Sequence, residues 1–176
     1  PNAKVHTPTK FLITKGVIQD FEDLKDRFSI EVVNKEFYKE ISRLFMKLVG
    51  GTLGEGGNKE EYKALLKLPG VKDSGQTAQE FAVRLIGRLI FCWFLREKKD
   101  DSEESLMPHS LLSLDASRKY KDYYHSILEP IFFKVLNVPL NSRKEEKFFS
   151  NPYDKIPYLN GGLFSPHEDD FYSTND

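Results

Sequence analysis

The sequence predicts an all-α fold, an irregular helical bundle around one long buried helix, with a loop-rich C-terminal part. Three observations predict it. Apolar residues recur at helical spacing in several separate segments. One segment, 77–98, is apolar around nearly its whole circumference. Beyond Asn137 that periodicity gives way to Pro139, Pro152 and Pro157. The 176 residues suit one domain, and the 14 Phe and 8 Tyr supply the bulk of its core.

Residues 1–16 are polar and punctuated by Thr and Pro, which reads as an arm or linker. A helical connector domain is expected over 17–164, and 165–176 reads as a polar tail leading toward a further domain. Ile18, Phe21, Leu24 and Phe28 fit a short helix. Phe28, Ile30 and Val32 alternate, which fits either an extended stretch or a turn into the next helix. From Asn34 the signal strengthens, because Phe37, Ile41, Leu44, Phe45 and Leu48 line one helical face. Gly50 and Gly51 supply the stop. Asn58 with Glu61 three residues later has capping-box spacing, predicting a helix through Tyr62, Leu65, Leu66 and Leu68 that ends at Pro69 and Gly70.

Thr77 and Glu80 form a second such box. The helix it opens carries Phe81, Val83, Leu85, Ile86, Leu89, Ile90, Trp93 and Phe94, so it is expected at the centre of the domain, with Leu85, Leu89 and Trp93 in the core. A further helix from Asp115 or Ser117 would bury Tyr120, Tyr124, Ile127, Leu128, Ile131, Val135 and Leu136. Pro130 inside it predicts a kink or two abutting helices.

Composition excludes several function classes. With 26 basic against 27 acidic side chains the formal charge is −1, so any DNA contact must come from a local patch. The lone Cys92 excludes an internal disulfide framework, fits a reducing, cytoplasmic setting, and on an apolar helix reads as a small core residue. No apolar run is long enough to span a bilayer, and none at the start resembles a signal peptide. The chain begins without Met and closes on polar residues, and it reads as a piece of a longer protein.

The motifs that carry chemistry are absent or incomplete. His6, His109, His125 and His167 lack metal-ligand spacing. Glycines 50, 51, 54, 56 and 57 follow a helix rather than a strand and precede no Gly-Lys-Ser/Thr, so they read as a helix terminator and loop, not a phosphate loop. Glu145-Glu146-Lys147 and Glu97-Lys98-Lys99 match the Glu-x-Lys of Mg²⁺ nucleases, but both adjoin helices where that core needs strands. Asn151-Pro152-Tyr153 approaches the tetrapeptide with which amino-group DNA methyltransferases grip a flipped base, yet it has one proline and no accompanying donor loop, and it reads as a turn. Arg84 and Arg88 share a helical face, suited to a phosphate or an acidic partner, although buried arginines more often pair inside the fold. With Arg96, Lys98, Lys99, Arg143, Lys144 and Lys147 they are the candidates for contact with DNA or a neighbouring domain. Catalytic, cofactor and metal residues: none is assigned.

Three stretches carry a resemblance. Asn34-Lys35-Glu36-Phe37-Tyr38-Lys39-Glu40, followed by Arg84-Leu85-Ile86-Gly87-Arg88-Leu89-Ile90-Phe91-Cys92-Trp93-Phe94-Leu95-Arg96-Glu97-Lys98, resembles the helical region ahead of the methyltransferase domain in type IIG restriction–modification enzymes and related adenine-specific DNA methyltransferases. The 153–164 stretch, ending in Tyr158-Leu159-Asn160-Gly161-Gly162-Leu163-Phe164, resembles the run-in to that catalytic domain. Together they span roughly 28–164. The resemblance implies a parent enzyme that methylates adenine with S-adenosylmethionine and is often fused to an Mg²⁺-dependent endonuclease. It implies that this segment is a non-catalytic connector, packed on the methyltransferase domain and in reach of double-stranded DNA; the net charge of −1 confines any such contact to weak binding without sequence preference. The other reading is a stand-alone helical protein-interaction module.

Overall fold

The computed structural model describes residues 30–68, 74–159 and 161–171. The arm at 1–16, the helix at 18–28 and the stop at Pro69 and Gly70 lie outside them. The described residues are mostly helical, with one two-stranded sheet that departs from the all-α expectation. The chain divides into two compact units, Pro1–Lys63 and Ala64–Asp176.

In the first unit helix α1 spans Ile30–Val49. The 28–33 stretch, from Ile30 on, is therefore the helix's first turn. Gly50 (φ 80°) ends it, donating its N–H to the Met46 carbonyl at 2.8 Å in the left-handed geometry that glycine adopts at least cost. Of the predicted apolar face, Ile41, Phe45 and Leu48 are half-buried while Phe37 and Leu44 are exposed.

Past Gly50 the chain forms a hairpin where a helix was expected. Strand β1 (Gly51–Leu53) pairs antiparallel with β2 (Glu60–Tyr62), Leu53 opposite Glu60 and Gly51 opposite Tyr62. A 3-10 turn at Gly56–Asn58 lies between them. The Asn58/Glu61 spacing was thus a chance match: Glu61 lies in β2, and Leu65 beyond it is exposed. The physical reason is twofold. Three positive-φ glycines, Gly51, Gly54 and Gly56, let the chain reverse tightly. A helix starting at Asn58 would have had only about three turns before Pro69, too short to stand without a core to pack on. Arg43 of α1 pairs with Glu60 of β2 at 3.0 Å and with Glu40 at 3.0 Å, tying hairpin to helix.

In the second unit helix α2 spans Ser74–Glu97. It starts ahead of Thr77, so Thr77 and Glu80 lie inside it and cap nothing. Its buried side carries Phe81, Ala82, Ile86, Arg88, Cys92 and Leu95. The chain then returns along its end, where the Met107 N–H meets the Leu95 carbonyl at 3.2 Å. A short helix α3 (Leu114–Lys119) is capped by Ser113, whose hydroxyl accepts from the Ala116 N–H at 3.1 Å. Helical geometry lapses at Tyr120, a break the sequence did not announce.

Two π-helical segments, Tyr124–Leu128 and Ile131–Leu136, then abut through Glu129 and Pro130. Pro130 has no N–H to give, and the wider winding accommodates it without a break in helical backbone angles. Ile127, Leu128, Ile131, Val135 and Leu136 are buried as expected, and with Phe132 they meet Cys92, Leu95 and Phe164 in the core. The C-terminal part is loop-rich, with short 3-10 turns. Arg143 organises it from inside: its guanidinium donates to the carbonyls of Ile156 (2.6 Å), Phe148 (2.9 Å) and Tyr153 (3.0 Å). Burial pulls its pKa below the ordinary arginine value.

Candidate functional site

Helix α2 presents two chemically different sides. On one, Arg84 and Arg88 stand a turn apart and meet residues from the chain's last described stretch. Arg88 forms a bidentate pair with Asp170, Nη1 to Oδ1 at 2.7 Å and Nη2 to Oδ2 at 3.0 Å. Its Nε donates to the Leu163 carbonyl at 2.8 Å, and Nη2 also donates to the Ser165 carbonyl at 3.0 Å. The guanidinium lies over the Phe133 ring at 4.9 Å. Arg88 is 1% exposed and Asp170 0%.

Asp170 is held in turn by the His167 backbone N–H, which donates to its Oδ2 at 2.8 Å. Arg84 reaches Asp169 at 2.8 Å in a shallower pair. Residues 165–171, read from the sequence as the start of a polar tail, therefore dock on α2 through two adjacent aspartates. This arrangement uses the Arg88 charge wholly inside the fold and turns Arg84 toward Asp169.

The same contact joins two of the three stretches of the resemblance. Besides the Arg88 bond to the Leu163 carbonyl, the Leu163 side chain packs close to the helix at Gly87. Phe164 is buried and stacks edge-on to Phe91 at 6.2 Å. The 84–98 stretch, Leu163 and Phe164 are thus packed together.

The other side of α2 corrects the expectation of an all-round buried helix. Val83 (60% exposed), Trp93 (48%) and Phe94 (59%) face outward, with Phe91 half-open beside them. Leu85 and Leu89 are partly buried against the core, as expected, but Trp93 is not a core residue. Val83, Ile90 and Phe94 fall at helical spacing on one line, with Phe91 and Trp93 flanking it. This is an apolar strip on a helix whose other side is already packed.

The remaining sequence candidates are dispersed. Arg96 bonds Glu97 at 2.9 Å and the Leu112 carbonyl at 3.3 Å. Lys99 pairs with Glu103, and Lys147 with Glu145, which also takes Lys134. Arg143 is interior. Lys98 and Lys144 are exposed and in no ion pair among the described residues. Asn151 and Pro152, joined by a cis peptide bond, lie in a turn closed by the Tyr153 N–H on the Ser150 carbonyl. Cys92 is buried among apolar side chains, which push its thiol up to about 12. His125 pairs with Glu129, His167 helps cap the last 3-10 turn, and His109 is exposed. No group of three His, Cys, Asp or Glu converges among the described residues. No described helix is long and apolar enough to cross a membrane.

Sequence reasoning missed Asp169 and Asp170, whose only signal was a pair of acids placed to answer two arginines four residues apart.

Comparison with known proteins finds a similar sequence in Methanocaldococcus jannaschii. The chain is 36% identical over 159 residues to a protein named "Putative type II restriction enzyme and methyltransferase". The match covers 76% of this chain and 12% of that protein, so the chain spans a small part of its relative's length. No family model matches the chain. No solved structure matches it significantly.

Proposed function

We propose that this chain is a helical connector segment of a cytoplasmic type II restriction–modification enzyme, a non-catalytic scaffold for a neighbouring methyltransferase domain of the same polypeptide. The parent methylates adenine in DNA with S-adenosylmethionine, and uses Mg²⁺ for cleavage where an endonuclease is fused. The observation that carries this reading is the 36% identity over 76% of the chain to a protein with a restriction and methyltransferase name. Two features support the scaffold role in particular. The Arg84/Arg88–Asp169/Asp170 clamp fixes the last described residues against α2, a firm surface for a neighbouring domain to rest on. The apolar strip at Val83, Phe91, Trp93 and Phe94 offers that domain a surface to cover. The same strip would also serve a separate partner if the chain acts as a stand-alone interaction module.

The test is Trp93→Glu with Phe94→Glu, introduced into the longer enzyme that contains this segment. Adenine methylation is expected to fall at least tenfold while the segment keeps its helical circular dichroism. Unchanged methylation overturns the scaffold reading.

A further inference from the structure

Between α1 and the hairpin of the first unit lies a cleft of about 640 Å³, lined by Lys39, Ser42 and Arg43 from the helix and by Leu53, Gly54, Asn58, Lys59 and Glu60 from the hairpin. Three cations face one carboxylate there, in a chain whose total charge is −1. Arg43 is committed, because Glu40 and Glu60 hold its two terminal nitrogens at 3.0 Å each. Glu60 is committed as well, to the Tyr62 hydroxyl and to Arg43, and these hold its carboxyl below the usual range. Lys39 and Lys59 are exposed and in no ion pair among the described residues.

The cleft thus has a locked frame and two exposed ammonium groups, one on each wall. Its shape depends on Gly54 (φ 101°), where a Cβ would lie 2.4 Å from the Asn58 carbonyl oxygen, so only glycine lets the turn close. Its volume exceeds a phosphate group and suits a short run of sugar–phosphate backbone.

We propose that this cleft is a phosphate-binding site for the backbone of duplex DNA, with Lys39 and Lys59 as the charged contacts and Asn58 as a neutral hydrogen-bond donor. The choice of DNA over another phosphate source rests on the restriction–modification reading; the anion site itself does not. The contact carries no base recognition, since lysines on phosphates position a protein without reading sequence.

The experiment is fluorescence anisotropy of the whole chain with labelled duplexes of unrelated sequence, repeated across salt concentrations. Binding is expected in the non-specific range of about 10⁻⁴–10⁻⁶ M at moderate salt, equal for all duplexes. Lys39→Ala with Lys59→Ala should lower the slope of log affinity against log salt by about 1.8, at roughly 0.9 per lost phosphate contact. Lys98→Ala with Lys99→Ala should leave it within about half a contact of the parent chain. A slope unaffected by the Lys39/Lys59 pair, or absent binding at low salt, overturns the site. Pyrophosphate competing at matched ionic strength far below the DNA phosphate concentration would make it a site for free phosphates, and tighter binding of single-stranded RNA would overturn duplex DNA as its ligand. Binding by the isolated chain decides the cleft and methylation by the longer enzyme decides the connector role, so either fails without the other.

Discussion

Asp170 has no exposed surface, and both its oxygens are engaged by Arg88. Removing one member of such a pair strands the other charge in the interior, which typically costs about 3–5 kcal/mol. Asp170→Ala should therefore destabilise the chain by about that amount in urea titration. Asp169→Ala breaks a pair open to solvent on the aspartate side and should cost no more than about 1 kcal/mol. Equal losses would mean that the two aspartates share one role. Cys92 gives a second check at this scale. With its thiol pushed up to about 12 and its side chain buried, it should not react with a thiol reagent at pH 8 until the protein unfolds. That Arg84 and Arg88 share a face was legible from their four-residue spacing. Their partners were not, because 82 residues separate Arg88 from Asp170, and a polar acidic run looks the same whether it docks or trails into solvent.

Helix α2 shows where periodicity loses its information. An apolar side chain at nearly every position makes every face look buried, and nothing in the pattern says which face the rest of the chain reaches. The core residues Phe81, Ile86 and Cys92 and the outward Val83, Trp93 and Phe94 are alike in being apolar. Burial decides the energetics: Trp93→Ala should cost about 1 kcal/mol or less, whereas Phe132→Ala, fully enclosed, should cost about 3–5 kcal/mol, both read by denaturant midpoint. Trp93 is the single tryptophan, so its emission should be that of a solvent-exposed indole in the isolated chain and shift to the blue when the neighbouring domain covers it. The hairpin was illegible for another reason. Two three-residue strands carry too little alternation to register, and only the glycine spacing at 51, 54 and 56 hinted at a reversal.

At the scale of the whole molecule the question is what the chain does alone. Binding S-adenosylmethionine requires a glycine-rich turn that leaves a strand and opens a helix, so that backbone amides and a bare backbone surface meet the donor. The glycine-rich stretch at 50–57 runs the other way: it succeeds α1, reverses in a hairpin and opens onto β2. The one tetrapeptide-like sequence, at Asn151–Pro152, lies in a turn whose next residue, Tyr153, packs edge-on against Phe148 at 5.1 Å, so its ring is engaged within the fold rather than free to stack on a base. The cleft of the first unit carries Lys39, Arg43, Lys59 and Glu60, charges suited to phosphate, and its lining has no aromatic side chain on which an adenine could stack. The isolated chain is therefore expected to give no saturable heat with S-adenosylmethionine in titration calorimetry. The longer enzyme, carrying a methyltransferase domain, should bind the donor, and its affinity should be the same with Lys39→Ala and Lys59→Ala in place. Saturable binding by this chain alone would mean that the donor site lies within it, and would replace the connector role with a catalytic one.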